Sequence, residues 1–348
     1  MRIFVAGNLG YVGSVLTAHL RQTFPNSEIH GFDNAYFAHC LIDNEAASGP
    51  IVDAQRFGDI RRIDPTLLEG FDAVVQLAAV SNDPMGNKFE AATLSINRDA
   101  SVRLAQAAAD AGVRSFVFAS SCSVYGIAAG APRTETDPTA PETAYARSKI
   151  DTETELGKLD TDMIVTALRF ATACGASPRL RLDLVLNDFV AAAMVDGKIT
   201  VLSDGSPWRP LIDVADMARA MEWAMTREAA NGGRFLVVNA GATAQNYQVR
   251  DIANAVAGAL PGTAVSINSA APVDSRSYRV DFGLYERLAP RHAARTSLGQ
   301  SIEELIAAIG RAHLADDRQR LSNFVRLNVL EEHIAAERLT TNLEWVHR

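Results

Sequence analysis

The sequence predicts an α/β fold built on a parallel, doubly wound β-sheet, followed by a smaller C-terminal α/β domain. Three observations predict this fold. Short apolar runs alternate with longer helical patterns over about the first 170 residues, a glycine-rich turn follows the first run, and the pattern changes after Arg169. Strands joined by helices form right-handed crossovers, which give a parallel sheet buried on both faces.

The predicted strands of the sheet are RIFVA, EIHGF, DAVVQLAA, SFVFASS and DMIVTALRF, and GDI closes a further strand between the second and third of these runs. The runs are short and apolar, which is typical of buried strands, and the intervening stretches have helical periodicity. We assign residues 1–175 to this domain and expect segments within about 205–240 to return to it.

The second part of the chain begins with a loop rich in proline and arginine, GASPRLRLD, before the predicted helix LVLNDFVAAAMVDG. Next comes a short segment, ITVLSDGSPWRP, and then a helix from about Asp213 to Glu228. After these we predict a strand, RFLVVNAG, and a helix around VRDIANAVAGAL. We assign residues 176–298 to the smaller domain. Residues 299–348 are helical and charge-rich, and they form a C-terminal extension without recognisable chemistry.

Composition excludes several classes of protein. The chain has 348 residues, of which 48% are hydrophobic and 21% charged, so a sizeable folded core is expected. Its net charge is −8 and it contains no long basic run, which argues against nucleic acid and anionic membrane as partners. No apolar stretch approaches the roughly 18 to 20 residues that a membrane span needs.

The cysteines and the N-terminus predict a cytoplasmic protein. Cys40, Cys122 and Cys174 are odd in number and lack the spacing of metal ligands, so we expect a reducing compartment and no metal site. The apolar run of MRIFVAG breaks at Gly7, too early for the core of a signal peptide.

The glycine-rich turn VAGNLGYVGS predicts a dinucleotide site. Glycines between a strand and a helix permit a tight turn and a close approach to a pyrophosphate, which the free N–H groups of the helix can bind. Glycine also serves tight turns that bind nothing, so the prediction depends on the order of strand, turn and helix. The predicted cofactor contacts here are Gly7, Gly10, Tyr11, Val12 and Gly13.

An aspartate at the end of the second predicted strand indicates which dinucleotide binds. Asp33 lies twenty residues after Gly13, where a carboxylate accepts hydrogen bonds from ribose hydroxyls and repels a 2′-phosphate. The position favours NAD over NADP, although a strand-end aspartate can also cap a turn. Asp59 and Ile60, which close the third strand, are predicted to meet the adenine.

AYARSK contains the candidate catalytic pair. Tyr145 and Lys149 are four residues apart and share one face of a helix, a spacing that also occurs on ordinary solvated surfaces. Ser121 ends the fifth strand, at the sheet edge where ligands bind. A tyrosine that acts as a base at neutral pH needs its pKa lowered by about 3 units, and a charge about 4 Å away supplies roughly that energy. We therefore expect Lys149, helped by a cationic nicotinamide ring, to lower the pKa of Tyr145 while Ser121 holds the substrate oxygen.

Six motifs together resemble a known family: GNLGYVG, LAAVSNDP, INRDAS, SSCSVYG, YARSK and WRPLIDVADMARA, over about residues 1–290. The chain resembles the extended short-chain dehydrogenase/reductase family, in its branch of nucleotide-sugar epimerases and dehydratases. The resemblance implies a Rossmann-type domain that carries NAD(P), a smaller C-terminal domain that binds a nucleoside diphosphate sugar, and a homodimer. Its catalytic set falls on Ser121, Tyr145 and Lys149.

The resemblance also assigns roles to further residues. It implies cofactor contacts at Leu77, Ala78, Ala79 and Asn97, with Asn97 supporting the active-site backbone. The implied sugar contacts are Ser81, Asn82 and Ser123, and the implied diphosphate contacts are Asn187, Arg209 and Arg276. A solvated surface arginine is the alternative for each of these two arginines. Arg179 and Arg181 are expected to flank the site, although solvated charges explain them as well.

One difference from the motifs of this branch restricts the reactions that we expect of the protein. Members that remove water from the sugar carry an Asp-Glu pair directly after the catalytic hydroxyl, since elimination needs an acid and a base. Cys122 and Ser123 occupy these places, which disfavours dehydration, and we interpret Cys122 as a small buried side chain. An NAD-dependent epimerase is the leading hypothesis, and a 4-keto-sugar reductase is the alternative. The intact Ser-Tyr-Lys set argues against a non-catalytic dinucleotide sensor.

Overall fold

The computed structural model describes residues 1–42, 51–127, 130–268, 270–271, 277–313 and 322–346. Its centre is a parallel seven-stranded sheet. The strands of this sheet are β1 (Arg2–Ala6), β2 (Glu28–Asp33), β3 (Ala54–Phe57), β4 (Ala73–Gln76), β5 (Ser115–Ser121), β6 (Ile164–Phe170) and β10 (Phe235–Ala240). Their order across the sheet is β10-β6-β5-β4-β1-β2-β3.

Helices connect and cover these strands. Their bounds are α1 (Tyr11–Thr23), α2 (Asp83–Lys88), α3 (Glu90–Thr93), α4 (Ala100–Asp110), α5 (Ala144–Leu156), α6 (Val185–Asp196), α7 (Val214–Thr226), α8 (Val249–Ala259), α9 (Gly283–Leu288), α10 (Leu298–Arg311) and α11 (Arg326–Ala335). Between α3 and α4 the chain forms a π-helix, Leu94–Asp99. The alternation of strand and helix confirms the predicted doubly wound α/β fold.

Two hydrophobic cores sandwich the sheet, because its strands are apolar on both faces. Leu16 of α1 and Met221 of α7 belong to the core on one face. Leu104 of α4 and Leu156 of α5 belong to the core on the other. The strand order runs in opposite directions from β1, since β2 lies on one side of it and β4 on the other. Such a reversal opens a crevice at the carboxyl ends of the strands, where ligands bind in this architecture.

Two small sheets stand beyond the carboxyl end of β6. The first joins β7 (Thr172–Cys174), β9 (Trp208–Asp213) and β11 (Asn246–Gln248), and the second pairs β8 (Lys198–Val201) with β12 (Ala264–Ile267). A third core packs α6, α8 and α10 together through Leu186, Ile252 and Leu305. The C-terminal extension is therefore divided, since α10 joins this third core whereas Leu330 of α11 joins a core of the large sheet.

The boundaries differ from the sequence prediction at the third strand. That strand ends at Phe57, so Asp59 and Ile60 follow it instead of closing it. Asp59 caps a short 3₁₀ turn and accepts a hydrogen bond from the Arg61 amide. None of the helices in the described part of the chain is long and apolar enough to cross a membrane.

Candidate active site

A cleft of about 740 Å³ lies at the carboxyl ends of the strands and is bordered by both parts of the chain. Most of the predicted site residues line it. They are Gly7, Gly10, Tyr11, Val12, Gly13, Asp33, Ile60, Leu77, Ala78, Ala79, Ser81, Asn82, Ser121, Ser123, Tyr145, Lys149 and Arg209. Asp59, Asn97 and Asn187 do not line the cleft, and Arg276 lies outside the described residues.

The glycine turn has no room for side chains. Gly7 has a φ of +86°, and a Cβ at this position would lie 2.6 Å from the Ala78 amide nitrogen. A Cβ on Gly13 would lie 2.2 Å from the Gly7 carbonyl oxygen. Helix α1 begins directly after this turn without a side-chain cap, so its first N–H groups can bind an anion.

Asp33 is held at the cleft by the backbone. Its carboxylate accepts hydrogen bonds from the Leu9 amide at 3.0 Å and the Ala35 amide at 2.8 Å. Burial raises the pKa of Asp33, and these two hydrogen bonds oppose that rise. The carboxylate thus has a fixed position at the end of β2, where a dinucleotide's ribose lies in this fold.

The predicted adenine contact at Asp59 is not supported by the geometry. The carboxylate binds the Arg61 guanidinium, at 2.9 Å from Nε and 2.6 Å from Nη2. A charge-assisted pair with a neighbour two residues away satisfies this side chain, and only Ile60 of the predicted pair lines the cleft.

Asn97 supports the site from behind. It lies in the π-helix and is fully buried. Its Oδ1 accepts from the Val80 amide at 2.8 Å, while Nδ2 donates to the Val80 carbonyl at 2.9 Å and to Ser148 Oγ at 3.1 Å. The amide therefore ties the loop after β4 to α5, and Asn97 is not a lining cofactor contact. π-Helices often occur at functional sites.

The start of α5 positions the tyrosine. The Thr143 hydroxyl caps the helix by accepting from the Ala146 amide at 3.1 Å, and it donates to Asp83 at 2.6 Å. Tyr145 follows in the first turn, and its hydroxyl is hydrogen-bonded to the Ser121 side chain. Ser121 Oγ also accepts from the Ser123 amide at 3.1 Å. The two hydroxyls predicted to act together are therefore in contact.

Lys149 lies one helical turn beyond Tyr145 on the same face. Its Nζ donates to the Ala119 carbonyl at 2.7 Å and lies 5.5 Å from the centroid of the Tyr145 ring. Burial lowers the pKa of Lys149 to about 7, and the nearby Glu153 opposes this effect. Burial likewise raises the pKa of Tyr145 to about 12, against the hydrogen bond from Ser121.

Burial therefore opposes the predicted action of Lys149 on Tyr145 in the protein without cofactor, and the role of Lys149 stays a prediction. Burial disfavours the charged form of both groups, so it acts against a tyrosinate and against an ammonium together. The attraction between the two charges is opposed by the cost of removing both groups from water. A further positive charge in the cleft is needed to lower the pKa of Tyr145.

A buried polar network lies beneath the lysine. Glu153 binds Arg169 at 3.0 Å from Nε and 2.6 Å from Nη2, and Arg169 Nη1 donates to Tyr125 Oη at 3.0 Å. Glu153 also accepts from the Ser120 hydroxyl. Cys122 has no exposed surface and donates to the Arg169 carbonyl, which agrees with its interpretation as a buried side chain.

An unpredicted ion pair forms the opposite wall. Arg181 binds Asp183 through Nε at 2.9 Å and Nη2 at 3.0 Å, and its Nη1 donates to Ser81 Oγ at 2.9 Å. Asn82 Nδ2 donates to the same carboxylate at 2.7 Å. Arg179 and Arg181 are both buried, so the alternative of solvated charges is wrong. In the sequence, this ion pair is indicated only by the R-x-D spacing of Arg181 and Asp183 within a loop.

Asn187 supports this wall and does not face the cleft. Its Oδ1 accepts from the Gly175 amide at 3.0 Å and its Nδ2 donates to the Arg181 carbonyl at 2.9 Å. The residue is fully buried. The amide is thus used within the protein, and the geometry does not support the predicted direct contact with a diphosphate.

Among the described residues, Arg209 is the predicted diphosphate contact that lines the cleft. It lies on β9, and its Nη1 donates to the Trp208 carbonyl at 2.9 Å. Tyr278 lies nearby, lines the cleft and is hydrogen-bonded to the Thr172 side chain, and burial raises its pKa. Sequence reasoning missed Tyr278 because a single tyrosine in a loop has no pattern.

Comparison with known proteins identifies the class. The NAD dependent epimerase/dehydratase family model matches residues 3–241 of the chain. The match covers more than half of the sequence, and it includes the glycine turn, Asp33 and the Ser-Tyr-Lys set described above. The chain belongs to this family, and the predicted family resemblance is confirmed.

Two relatives named UDP-glucose 4-epimerase are similar to the chain in sequence. The chain is 30% identical over 239 residues to a UDP-glucose 4-epimerase of Lactobacillus helveticus, covering 63% of this chain and 70% of that protein. It is 28% identical to the UDP-glucose 4-epimerase of Mycolicibacterium smegmatis, over 75% of this chain and 83% of the relative.

Two solved structures resemble it over most of its length. MoeE5 in complex with UDP-glucose and NAD has a TM-score of 0.75 and 25% identity, covering 90% of this chain and all of that chain. UDP-glucose-4-epimerase from Stenotrophomonas maltophila, with bound NAD and formylated UDP-arabinopyranose, has a TM-score of 0.77 and 25% identity, over 90% and 99% of the two chains.

NAD is the cofactor of this enzyme, as the sequence predicted. The residues of the cleft fit it. The turn packs too tightly against neighbouring backbone for a Cβ at Gly7 or Gly13, α1 offers its N-terminal amides, and Asp33 presents a carboxylate at the end of β2, where the ribose lies in this fold.

Proposed function

We propose that the protein is an epimerase that inverts the C4 hydroxyl of a UDP-sugar. The observation that supports this proposal most directly is the contact between the hydroxyls of Tyr145 and Ser121, in a cleft that also contains Lys149 and the NAD residues. The residues after Ser121 are Cys122 and Ser123, so the acid and base of a dehydratase are missing there. Relatives named UDP-glucose 4-epimerase support the uridine nucleotide.

Tyr145 exchanges the proton in this scheme. Its phenolate accepts the C4 hydroxyl proton during oxidation of the sugar, and the phenol so formed returns the proton during reduction, while Ser121 holds the same oxygen. When bound, NAD supplies reversible hydride transfer at C4 and, in its oxidised form, a positive charge beside the phenol. That charge opposes the burial that raises the pKa of Tyr145 to about 12.

The substrate lies between the two parts of the chain. Arg209 binds the diphosphate through its guanidinium, which suits phosphate oxygens because it offers paired donors. Ser81, Asn82 and Ser123 contact the sugar at the cleft wall, where the hydroxyl of Ser123 has no hydrogen-bond partner among the described residues. Arg276 remains a predicted second phosphate contact.

The assembly, compartment and domain limits stay proposals as well. A homodimer follows from the family resemblance. A reducing, cytoplasmic compartment is supported by three buried cysteines that are all free thiols. We also retain residues 1–175, 176–298 and 299–348 as the two domains and the extension.

The test follows the cofactor during turnover. Purified protein is incubated with UDP-glucose and separately with UDP-galactose, and the sugars and the absorbance at 340 nm are recorded. We expect each sugar to convert into the other without stoichiometric loss or gain of NADH. Steady oxidation of added NADH by a 4-keto sugar, without inversion of any 4-hydroxy UDP-sugar in a panel, would support the reductase instead.

A further inference from the structure

The last described residues of the chain form a small hairpin that lies outside the family match, which ends at residue 241. We call residues 338–346 the C-terminal hairpin. Leu339 and Trp345 pair as an antiparallel bridge, and the Val346 amide donates to the Arg338 carbonyl at 2.9 Å. The Leu343 amide donates to the Thr340 carbonyl at 2.9 Å and closes the turn.

The hairpin is bound to the loop that follows β2. Trp345 Nε1 donates to the Asn34 carbonyl at 2.7 Å. The Tyr36 hydroxyl donates to the Leu343 carbonyl, and the Tyr36 and Trp345 rings pack with their centroids 5.7 Å apart. These contacts begin one residue after Asp33, the predicted partner of the cofactor ribose.

The hairpin is also bound to the turn that follows β3. Arg61 donates through Nη1 to the Asn342 carbonyl at 2.8 Å and through Nη2 to the Leu343 carbonyl at 2.9 Å. Arg62 pairs with Glu344 at 2.6 Å. The hairpin therefore connects the carboxyl ends of β2 and β3 from outside the sheet.

The tip of the hairpin reaches the NAD cleft. Leu343 has no exposed surface and lines the cleft together with Asp33, Gly58 and Ile60. In this fold the ends of β2 and β3 border the adenosine half of the dinucleotide, since the ribose is bound by the acid at the end of β2. Leu343 therefore lies at the adenosine half of the site.

The backbone of Leu343 is strained, which indicates that its position is imposed by its surroundings. Its φ is +56°, a left-handed conformation that a branched residue rarely adopts. Such strain persists where neighbouring contacts determine the conformation, and it is concentrated at functional sites. Here the Leu343 carbonyl accepts from both Tyr36 and Arg61, so the contacts to the two cofactor loops maintain the strained residue.

Helix α11 extends the same wall. His333 Nε2 lies 2.9 Å from the Tyr36 carbonyl, and Leu330 lines the cleft. Arg326 also lines the cleft and is only 2% exposed. Its Nη2 donates to the Arg179 carbonyl at 2.8 Å, whereas its Nη1 makes no hydrogen bond to the described residues. The wall thus combines apolar side chains with an uncommitted guanidinium nitrogen, which suits a base and an anionic phosphate.

We propose that the C-terminal hairpin and α11 are part of the NAD site, where they cover the adenosine half and slow release of the cofactor. Leu343 and Leu330 pack against the adenosine, and Arg326 offers a hydrogen bond to a phosphate oxygen. An enzyme that oxidises and then reduces one substrate needs the same NAD in both steps, so slow release serves the reaction. The proposal depends on the NAD cofactor and not on the proposed sugar.

The proposal is tested by measuring cofactor release from a variant of Trp345, which binds the hairpin to the loop after β2. The complex of the full-length protein with NADH is mixed with excess NAD in a stopped-flow instrument, and the loss of NADH fluorescence gives the release rate. We expect Trp345→Ala to release NADH at least tenfold faster than the wild type. The matched control is Arg234→Ala, which removes an exposed pair with Asp162 outside the hairpin and α11 and is expected to release NADH at the wild-type rate.

Hydrogen exchange of the unaltered protein provides a second measurement, which remains valid if Trp345→Ala does not fold. The amides of Leu343 and Val346 are hydrogen-bonded within the hairpin. We expect saturating NAD to slow their exchange at least tenfold. Unchanged exchange with NAD, or equal release rates for a folded Trp345→Ala and the wild type, would overturn the proposal. Neither measurement uses a sugar nucleotide, so failure of the proposed epimerase activity would not affect it.

Discussion

At the scale of single residues, the chemistry of the site depends on two buried groups, and burial favours the uncharged form of each. Burial raises the pKa of Tyr145 to about 12 and lowers that of Lys149 to about 7. Glu153 opposes the effect on Lys149, and its own charge is bound by Arg169. The buried pair of Glu153 and Arg169 therefore helps to set the pKa of Lys149. The pKa of Tyr145 depends in addition on the charge of a bound ligand.

The lysine makes stability depend on pH. Its pKa in the folded protein is about 7, below the ordinary value of about 10.4, so the unfolded chain binds more protons between these values. Stability then rises with pH over this range, by up to about 4 kcal/mol from this group, and its contribution is constant below about pH 6. We expect the free energy of unfolding of the wild type to rise relative to Lys149→Met between pH 7 and 10.

Urea unfolding of both proteins without NAD, at several pH values, measures this difference. Lys158→Met is the control, because the side chain of Lys158 is 64% exposed and is expected to leave the pH dependence unchanged. Parallel pH curves for the wild type and Lys149→Met would show that Lys149 does not lose its proton on folding.

The tyrosine is expected to carry the proton transfer. Tyr145→Phe keeps the ring but removes the hydroxyl that contacts Ser121, so kcat should fall by about 10²- to 10⁴-fold, the usual contribution of general acid–base catalysis. NAD binding, followed by titration, should remain within twofold of the wild type. Tyr247→Phe, which alters a phenol outside the cleft, should keep full activity. Near-normal turnover by Tyr145→Phe would assign the proton transfer to another group.

At the scale of elements, three strands from two of the sheets each deliver one part of the site. The end of β2 presents Asp33, the end of β5 presents Ser121, and β9 presents Arg209 from the opposite side. The loop between β7 and α6 adds the pair Arg181–Asp183, which is neutral as a unit and hydrogen-bonded to Ser81. This part of the cleft wall is therefore polar, and the two charges of the pair cancel.

The strand β9 is expected to bind the diphosphate. Arg209→Ala should weaken binding of UDP by about 1.5 to 3 kcal/mol, the range for hydrogen bonds to charged groups, and it should leave NAD affinity unchanged. Calorimetric titration with UDP and with NAD separates the two effects. Arg250→Ala is the control, since Arg250 is an exposed arginine at the start of α8. Loss of NAD affinity in Arg209→Ala would show that the residue belongs to the cofactor.

At the scale of the whole molecule, the extension holds the parts of the chain together. Helix α10 packs into the core of the smaller part, where Ser301 donates to Asp213 at 2.6 Å, while α11 and the C-terminal hairpin cover the edge of the large sheet. Changes near the C-terminus are therefore expected to affect cofactor binding and stability together.

The packing of the whole molecule also protects the thiols. Cys40 and Cys122 have no exposed surface and Cys174 is 2% exposed. We expect none of them to react with Ellman's reagent within minutes in the native protein, and all three to react after unfolding in urea, with or without prior reductant. A rapid reaction of one thiol in the native state would contradict this burial, and fewer than three after unfolding without reductant would indicate a disulfide.

The sequence by itself determined the fold class and which of the predicted side chains meet in one cleft, because both depend on local patterns. Alternating apolar and helical runs specify the doubly wound sheet, and the turn from Gly7 to Gly13 specifies its own geometry through close backbone contacts. Tyr145 and Lys149 share a helix face through their spacing, and Ser121 meets them because parallel strands end at one edge.

Only the tertiary structure decided which residues complete the site and how they are charged. Leu343 reaches the cofactor cleft through a contact with Tyr36, 307 residues away along the chain, and no local pattern encodes such a pairing. Arg181 is buried beside Asp183, whereas Asn187 faces away from the cleft, although all three lie in one short segment. The pKa of Tyr145 rises because burial is a property of everything packed around a group, which spacing along the chain does not specify.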